Sequence, residues 1–295
     1  MKKNYRSILI LVTLCGLLLY ALVRTDRFVL DILSYTELFI KRLFPVSFLF
    51  LIISNLLMDY QFVQIIQRLF KIKSNYIYFF LISLMSGFPS GAVLIKEGLD
   101  RGIIDNNDAN RIIMFAHFPN PLFVLNSVNI VSGRLSYTLF ILGSIVLSNF
   151  IILLFVYHKS IFNNILIFPN DFSSCLTSSV NKAIKVLITI YGTSIFFYLI
   201  SIIITSRITN PYLYVAFSGV FDLTKGVFNS SIISSDILRC IFILIFIAFG
   251  PLSIHLQIKS ILADTSVSYK KFVLGRIIST ILSICLFICC VFWNN

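Results

Sequence analysis

The residues in this chain that could do chemistry fall into two clusters of glycine, proline and serine set inside apolar runs. The first is SGFPSGAVLIK, Ser86 to Lys96, and the second is GPLSIHLQIK, Gly250 to Lys259. Gly87 and Gly91 allow a sharp turn and close backbone approach, and Pro89 has no N–H to donate, so a carbonyl one turn back is left free. Ser90 adds a hydroxyl. A half-helix that starts near Ser90 would present unpaired N–H groups and the positive end of its dipole to an anionic group. The same reasoning covers Gly250, Pro251 and Ser253, with His255 and Gln257 as further polar side chains. Lys96, Arg111, His117, His255, Lys259 and Arg276 lie in or beside the broken runs. A charge at membrane depth is expensive enough to suggest function. Their predominantly basic character predicts an anionic or strongly polar solute, with Lys96, Lys259 and Arg111 supplying field or clamping it. Asn120 sits in a third break, HFPNP, beside His117.

Several chemistries are excluded at this level. A nucleophile elbow needs G-x-S-x-G, and Ser90 stands directly before the final glycine of its run. No nucleophile, base and orienting group can be assembled, so no enzymatic activity is expected. No H-x3-H or carboxylate spacing suggests a metal, and no P-loop suggests ATP hydrolysis, so no cofactor is expected. The six cysteines show no ligand spacing and read as apolar filler. The net charge of +12 comes from 24 Lys and Arg scattered at segment ends, which fits lipid headgroups or an anionic solute and argues against nucleic acid.

The elements that must position these residues follow from composition. Of 295 residues, 58% are hydrophobic and 12% charged, which places the chain among polytopic membrane proteins. Apolar runs at Ser7 to Val23, Phe44 to Met58, Tyr137 to Tyr157, Leu187 to Ile204 and Ile277 to Trp293 approach the ~20 residues a span needs. Between them lie the interrupted runs LISLMSGFPSGAVLI, IIMFAHFPNPLFVLNSV, YLYVAFSGVFDLTKGVF and ILIFIAFGPLSIHLQIKSIL. Broken backbone at membrane depth is tolerated only where protein buries it or a watery cavity meets it. The first run follows Lys2, Lys3 and Arg6 without a small-x-small cleavage site, so it is expected to stay as an anchor. Those residues, with Arg68, Lys71 and Lys73, favour a cytoplasmic N-terminus, whereas Lys41 and Arg42 oppose it. The amphipathic stretch Phe28 to Phe44 reads as an interfacial collar.

The halves on either side of the loop His158 to Ser174 resemble each other. Gly87, Ser90, Ile95 and Lys96 align without a gap on Gly250, Ser253, Ile258 and Lys259, and Arg-Ile-Ile follows in each half at Arg111 and Arg276. The expectation is an all-α polytopic membrane protein of two repeats with broken or re-entrant helices, inverted in topology. An anchor would cover 1–27, a first repeat 28–158 with its tip at 86–92, a loop 159–175, and a second repeat 176–295 with its tip at 249–257. Duplicated broken helices are the signature of a secondary transporter. A homo-oligomer is compatible with this reading.

The stretch SGFPSGAVLIKEGLDRGIIDNNDANRIIMFAHFPNPLFVL resembles the signature region of the sporulation integral membrane protein YlbJ family, within the nucleoside-recognition or gate-domain superfamily. The matching features are Ser86 to Ala92, Gly102 to Ile104, Asn106 to Arg111 and His117 to Phe123; Phe249 to Ile278 resembles the family as well. Where members carry an Asn-Asn-Ser-Gly-Pro run, this chain has HFPNP and keeps only the final proline. The resemblance implies transport of dipicolinate across the outer forespore membrane of a spore-forming bacterium. It leaves open a nucleoside or nucleobase carrier, and a nontransporting scaffold or accessory subunit.

Overall fold

The computed structural model describes residues 2–62, 65, 75–157 and 171–294 and, within these, all side chains but those of 2–4, 6, 42 and 46. Most of the expected boundary loop lies outside the described residues, as do Arg68, Lys71 and Lys73. Every element among the described residues is helical. Four helices are long and apolar enough to cross a membrane: Leu135–Val156, Phe172–Thr205, Asp236–Ile261 and Tyr269–Asn294. Their outer faces carry large apolar side chains in the open, such as Phe155, Ile188, Ile281 and Trp293. Apolar exposure on this scale needs a lipid or protein partner.

In chain order, α1 (Lys2–Val23) meets α2 (Thr25–Leu38) at a sharp corner. Ser7–Val23 and Thr25–Lys41 have the length and apolarity of a span only when taken together, and they are bent by 107°. A π turn, Phe39–Leu43, leads into α3 (Phe44–Asp59). The collar expectation is corrected in one respect, because α2 does not merely lie on the surface. Tyr35 and Phe39 are buried in a small core with Leu51, Ala183 and Leu187.

The next pair, α4 (Asn75–Ser86) and α5 (Ser90–Asp100), folds back on itself. A methyl group added at Gly98 would stand 2.9 Å from the Phe79 ring, and one at Gly91 would stand 3.2 Å from Ser83 Oγ, so the two legs lie side by side. Each leg is about 16–18 Å long at 1.5 Å per residue, roughly half a bilayer core. Then come α6 (Asn106–Ile112), a break at 113–120, α7 (Pro121–Ser132) and the long α8 (Leu135–Val156).

After 171 the chain forms α9 (Phe172–Thr205), α10 (Pro211–Phe221) and α11 (Leu223–Asn229). The last two make a second hairpin, crossing where a methyl group at Gly226 would overlap the Gly219 backbone. The chain ends with α12 (Asp236–Ala248), α13 (Leu252–Ile261) and α14 (Tyr269–Asn294). Here the structure corrects the gap-free alignment. Gly87 lies at the tip of a hairpin, whereas Gly250 interrupts one span-length run, Asp236–Ile261. The stretch 249–257 is therefore a break in a continuing helix and not a re-entrant tip. What the sequence alignment paired was composition: both sites need a left-handed glycine followed by proline and serine, for different bends.

The main core joins α4 to α8 with α12 to α14. Between α8 and α14, Ser148 Oγ lies 3.0 Å from Ser279 Oγ and 2.8 Å from Ser283 Oγ, so small hydroxyls replace bulk and let the helices approach closely.

Candidate functional site

The breaks are held by one side chain. Arg276 on α14 is fully buried and donates to Met114 O at 2.7 Å, His117 O at 3.1 Å, Ala248 O at 3.4 Å and Asn149 Oδ1 at 3.0 Å. Met114 and His117 belong to the break before α7, and Ala248 ends α12. Carbonyls that lose their helical partner at a break must find another donor, and a guanidinium offers several in a fixed fork. Gly275 brings α14 against the Met114 backbone so that the fork can reach. The sequence marks Arg276 as a basic residue near a break but gives no sign of this role.

The tip of the first hairpin rests on the same break. Gly87 has φ +73°, and a methyl there would stand 2.7 Å from Asn120 N; one at Gly91 would overlap the Ala116 carbonyl. Pro89 caps α5, and its peptide bond with Phe88 is cis. The Phe88 ring stacks on the His117 imidazole with centroids 5.0 Å apart. Gly250 has φ +88° and faces His117 Nε2 and His255.

Three cavities are strung along α9. A cavity of about 200 Å³ is lined by Lys182, Lys185 and Val186 of α9 with Ser54, Ser86 and Ser90. A central cavity of about 70 Å³ is lined by Leu187, Ile190 and Ser194 of the same helix. A third, of about 530 Å³, is lined by Tyr198, Ile202, Thr205 and Ser206 with Arg27, Asp31 and Lys225. From Lys182 to Ser206 the helix rises about 36 Å, which exceeds the ~30 Å hydrocarbon core.

The central cavity is where the interrupted elements meet. Phe88 comes from the first hairpin tip, Asp222, Leu223 and Thr224 from the second, Asn120 from one break, and Ser253 and Gln257 from the start of α13. Tyr35 and Thr224 line both this cavity and the largest of the three, so they stand between them. Asn120 Oδ1 caps α7 by accepting from Leu122 N at 2.9 Å, which leaves its buried Nδ2 without a protein partner. Gln257 Nε2 donates to Thr193 Oγ1 at 2.6 Å, and its buried Oε1 likewise lacks one. Buried polar atoms are normally satisfied, so a donor and an acceptor left open at one cavity are suited to a polar solute or to water.

The expected site residues thus separate. Asn120, Ser253 and Gln257 are brought together at the central cavity, while Ser90 lines the neighbouring smaller one. Gly87, Pro89, Gly91 and Gly250 shape the backbone around them. His255 is fully engaged, with Nδ1 2.8 Å from the Tyr269 hydroxyl and Nε2 3.1 Å from Phe249 O. The cations expected to clamp the solute lie away from these three cavities. Lys96 pairs with Asp264 at 3.4 Å, Lys259 lies over the Tyr269 ring at 5.8 Å, and Arg111 sits beside Tyr76, none of them at a cavity described above. Long cationic chains reach water or outside partners at little cost, as Lys96 and Lys259 do. Sequence reasoning missed Tyr35, Ser194, Asp222 and Thr224. Only Asp222 carried a readable signal, as an acid inside an apolar interrupted run.

No family model, curated protein or solved structure matches this chain.

Proposed function

We propose that this chain is a secondary-transporter-like membrane protein that passes a small polar solute through the central cavity. The observation behind this reading is the row of three cavities along α9, with both hairpin tips and both helix breaks converging on the middle one. Solute sites in transporters of repeated architecture are built from discontinuous helices near the bilayer midplane. The succession of helix, hairpin, broken helix and long helix from α3 to α8 recurs from α9 to α14, which is the order two repeats would give. At about 70 Å³ the middle cavity holds about two waters at ~30 Å³ each, so a solute enters only when the tips part.

The lining favours a neutral solute rich in hydrogen-bonding groups, such as a nucleoside or nucleobase. Amides, hydroxyls, the rings of Tyr35, Phe39, Phe88 and Phe123 and the Asp222 carboxyl, an acid that disfavours an anion, surround the cavity, and Lys96, Arg111 and Lys259 do not. The dicarboxylate reading, dipicolinate during sporulation, draws its support from Arg27 and Lys225 in the largest cavity. Proteoliposomes containing the full chain separate the two when labelled uridine and labelled dipicolinate are offered with excess unlabelled competitor. Saturable uridine uptake that is lost in Asn120→Leu and Gln257→Leu is the expected result. Saturable dipicolinate uptake lost in Arg27→Gln and Lys225→Gln would establish the anion reading instead. Uptake of neither would move the chain to the accessory-subunit reading.

A further inference from the structure

We propose that Asp222 is the proton-coupling site of this transporter, an inference that rests on the carrier reading above. The residue lies between α10 and α11, at the tip of the second hairpin, is almost wholly buried and lines the central cavity. Its Oδ1 accepts from Lys225 N at 2.8 Å and so caps α11. A helix cap does not need a charge, since Ser, Thr and Asn serve as well. Among the described side-chain caps, Asp105, Asp171, Asn210 and Ser235 are exposed, and buried Asn120 is neutral; Asp222 is the one that is both buried and acidic.

A buried carboxylate needs compensation, by a partner or by a proton. None of the ion pairs among the described residues includes Asp222. The ammonium of Lys225 is placed over the Tyr198 ring at 5.3 Å. The titratable and charged groups around Asp222 are Tyr35 and, beyond it, Asp31 on α2, Tyr198 on α9, Tyr214 on α10 and Lys225 on α11. The Tyr35 hydroxyl is a weak donor at 3.5 Å from Oδ2, and the backbone N–H of Thr224 joins that of Lys225 on the carboxyl; these are neutral donors, so a proton can still supply the missing compensation. No group of three or more His, Cys, Asp or Glu among the described residues offers a metal-ion site here.

The position explains how a proton could couple to movement. Asp222 adjoins Thr224 and Tyr35, which also line the largest of the three cavities. Water in that cavity supplies the proton: an O–H bond of hydronium breaks, and one forms at Oδ2. The neutral tip can then seal over the solute in an apolar surrounding that would reject a carboxylate. When the far side opens, the carboxyl O–H breaks and the proton passes to water there.

The test uses proteoliposomes of the full chain with a pH-sensitive dye trapped inside, offered uridine and, separately, dipicolinate. The expected result is probe uptake driven by an imposed inward proton gradient, with lumenal acidification on probe addition. In Asp222→Asn whatever flux remains should lack the acidification and ignore the gradient. If Asp222→Asn abolishes flux altogether, Asp222→Glu decides: a displaced pH profile of uptake supports the assignment, and an unchanged profile overturns it. Acidification that persists in Asp222→Asn overturns it, as does wild-type accumulation that follows a sodium gradient. Wild-type flux of either probe without any response to the proton gradient sinks the coupling site alone, whereas flux of neither sinks the carrier reading as well.

Discussion

At the scale of single residues, the decisive group is a cation that contacts neither lipid nor the central cavity. Arg276 replaces helical hydrogen bonds that two breaks forfeit, so its loss takes this donor from the buried carbonyls of Met114 and Ala248 and leaves His117 O only the Asn149 amide at 3.4 Å. Arg276→Met should destabilise the fold by about 2–5 kcal/mol, at ~1–3 kcal/mol for each buried carbonyl left without a donor. Arg276→Lys should recover only part of this, because an ammonium cannot reproduce the planar fork. Thermal unfolding of the detergent-solubilised variants reads both. The glycines give a second contrast. Gly91→Ala sets a methyl on the Ala116 carbonyl, where backbone meets backbone and neither can yield cheaply. Gly250→Ala meets nothing nearer than 3.7 Å and bears only the strain of φ +88°, about 1–2 kcal/mol. Folded yield by size-exclusion chromatography should therefore fall far more for Gly91→Ala; equal losses would refute the close packing of the tip on the break.

At the scale of elements, the hairpins depend on how closely their legs approach. The second one crosses at Gly219 and Gly226, and a methyl at Gly226 would overlap the Gly219 backbone. Gly226→Ala should spread the legs and lower folded yield, while Gly192→Ala on α9, with nothing within 4 Å, serves as the neutral control. The start of α9 answers to pH. Asp171 caps it, accepting from Ser173 N at 3.1 Å and Ser174 N at 2.9 Å, and these backbone bonds hold its carboxyl below the usual carboxylate range. A lowered folded pKa means that the cap's contribution is complete above the unfolded value, near ~3.9, and is lost as pH falls through the lower folded one. Hydrogen exchange at Ser173 and Ser174 should show protection that disappears only below that ordinary value. Asp171→Ala should remove it at every pH.

At the scale of the whole molecule, the proposed carrier requires a path from one membrane face to the other, and the three cavities along α9 are where that path would run. Asn55 lines the smaller outer cavity and Ser34 the larger one, at opposite ends of the α9 segment that carries all three. In a background without the six native cysteines, an impermeant maleimide should reach Ser34→Cys from one side of the membrane and Asn55→Cys from the other. A transported solute should change the two rates in opposite directions. Labelling of both from the same face would refute the path, whatever the solute.

Much of this was legible in the sequence. Composition fixed a helical membrane protein, because a chain so apolar cannot keep its surface in water. The C-terminal ends of α1, α3, α8, α9 and α14 follow the long apolar runs, whereas α9 and α14 begin well before theirs, at Phe172 and Tyr269; the interrupted runs became hairpins or breaks, because glycine and proline act locally on backbone freedom and hydrogen bonding. Asn120, Ser253 and Gln257 were readable as polar groups at those interruptions. The direction in which the chain leaves an interruption was not, since the same Gly, Pro and Ser permit both the fold-back at Gly87 and the continuation at Gly250. Nor could the sequence separate the cations: Lys96 and Lys259 have outside partners, whereas Arg276 is buried. Tyr35, Ser194 and Asp222 come from segments far apart in the chain, and only the packing of α2, α9 and the second hairpin sets them around one cavity. Local chemistry determined where the helices break; tertiary packing alone decided which broken ends face each other and which polar atoms are left without partners between them.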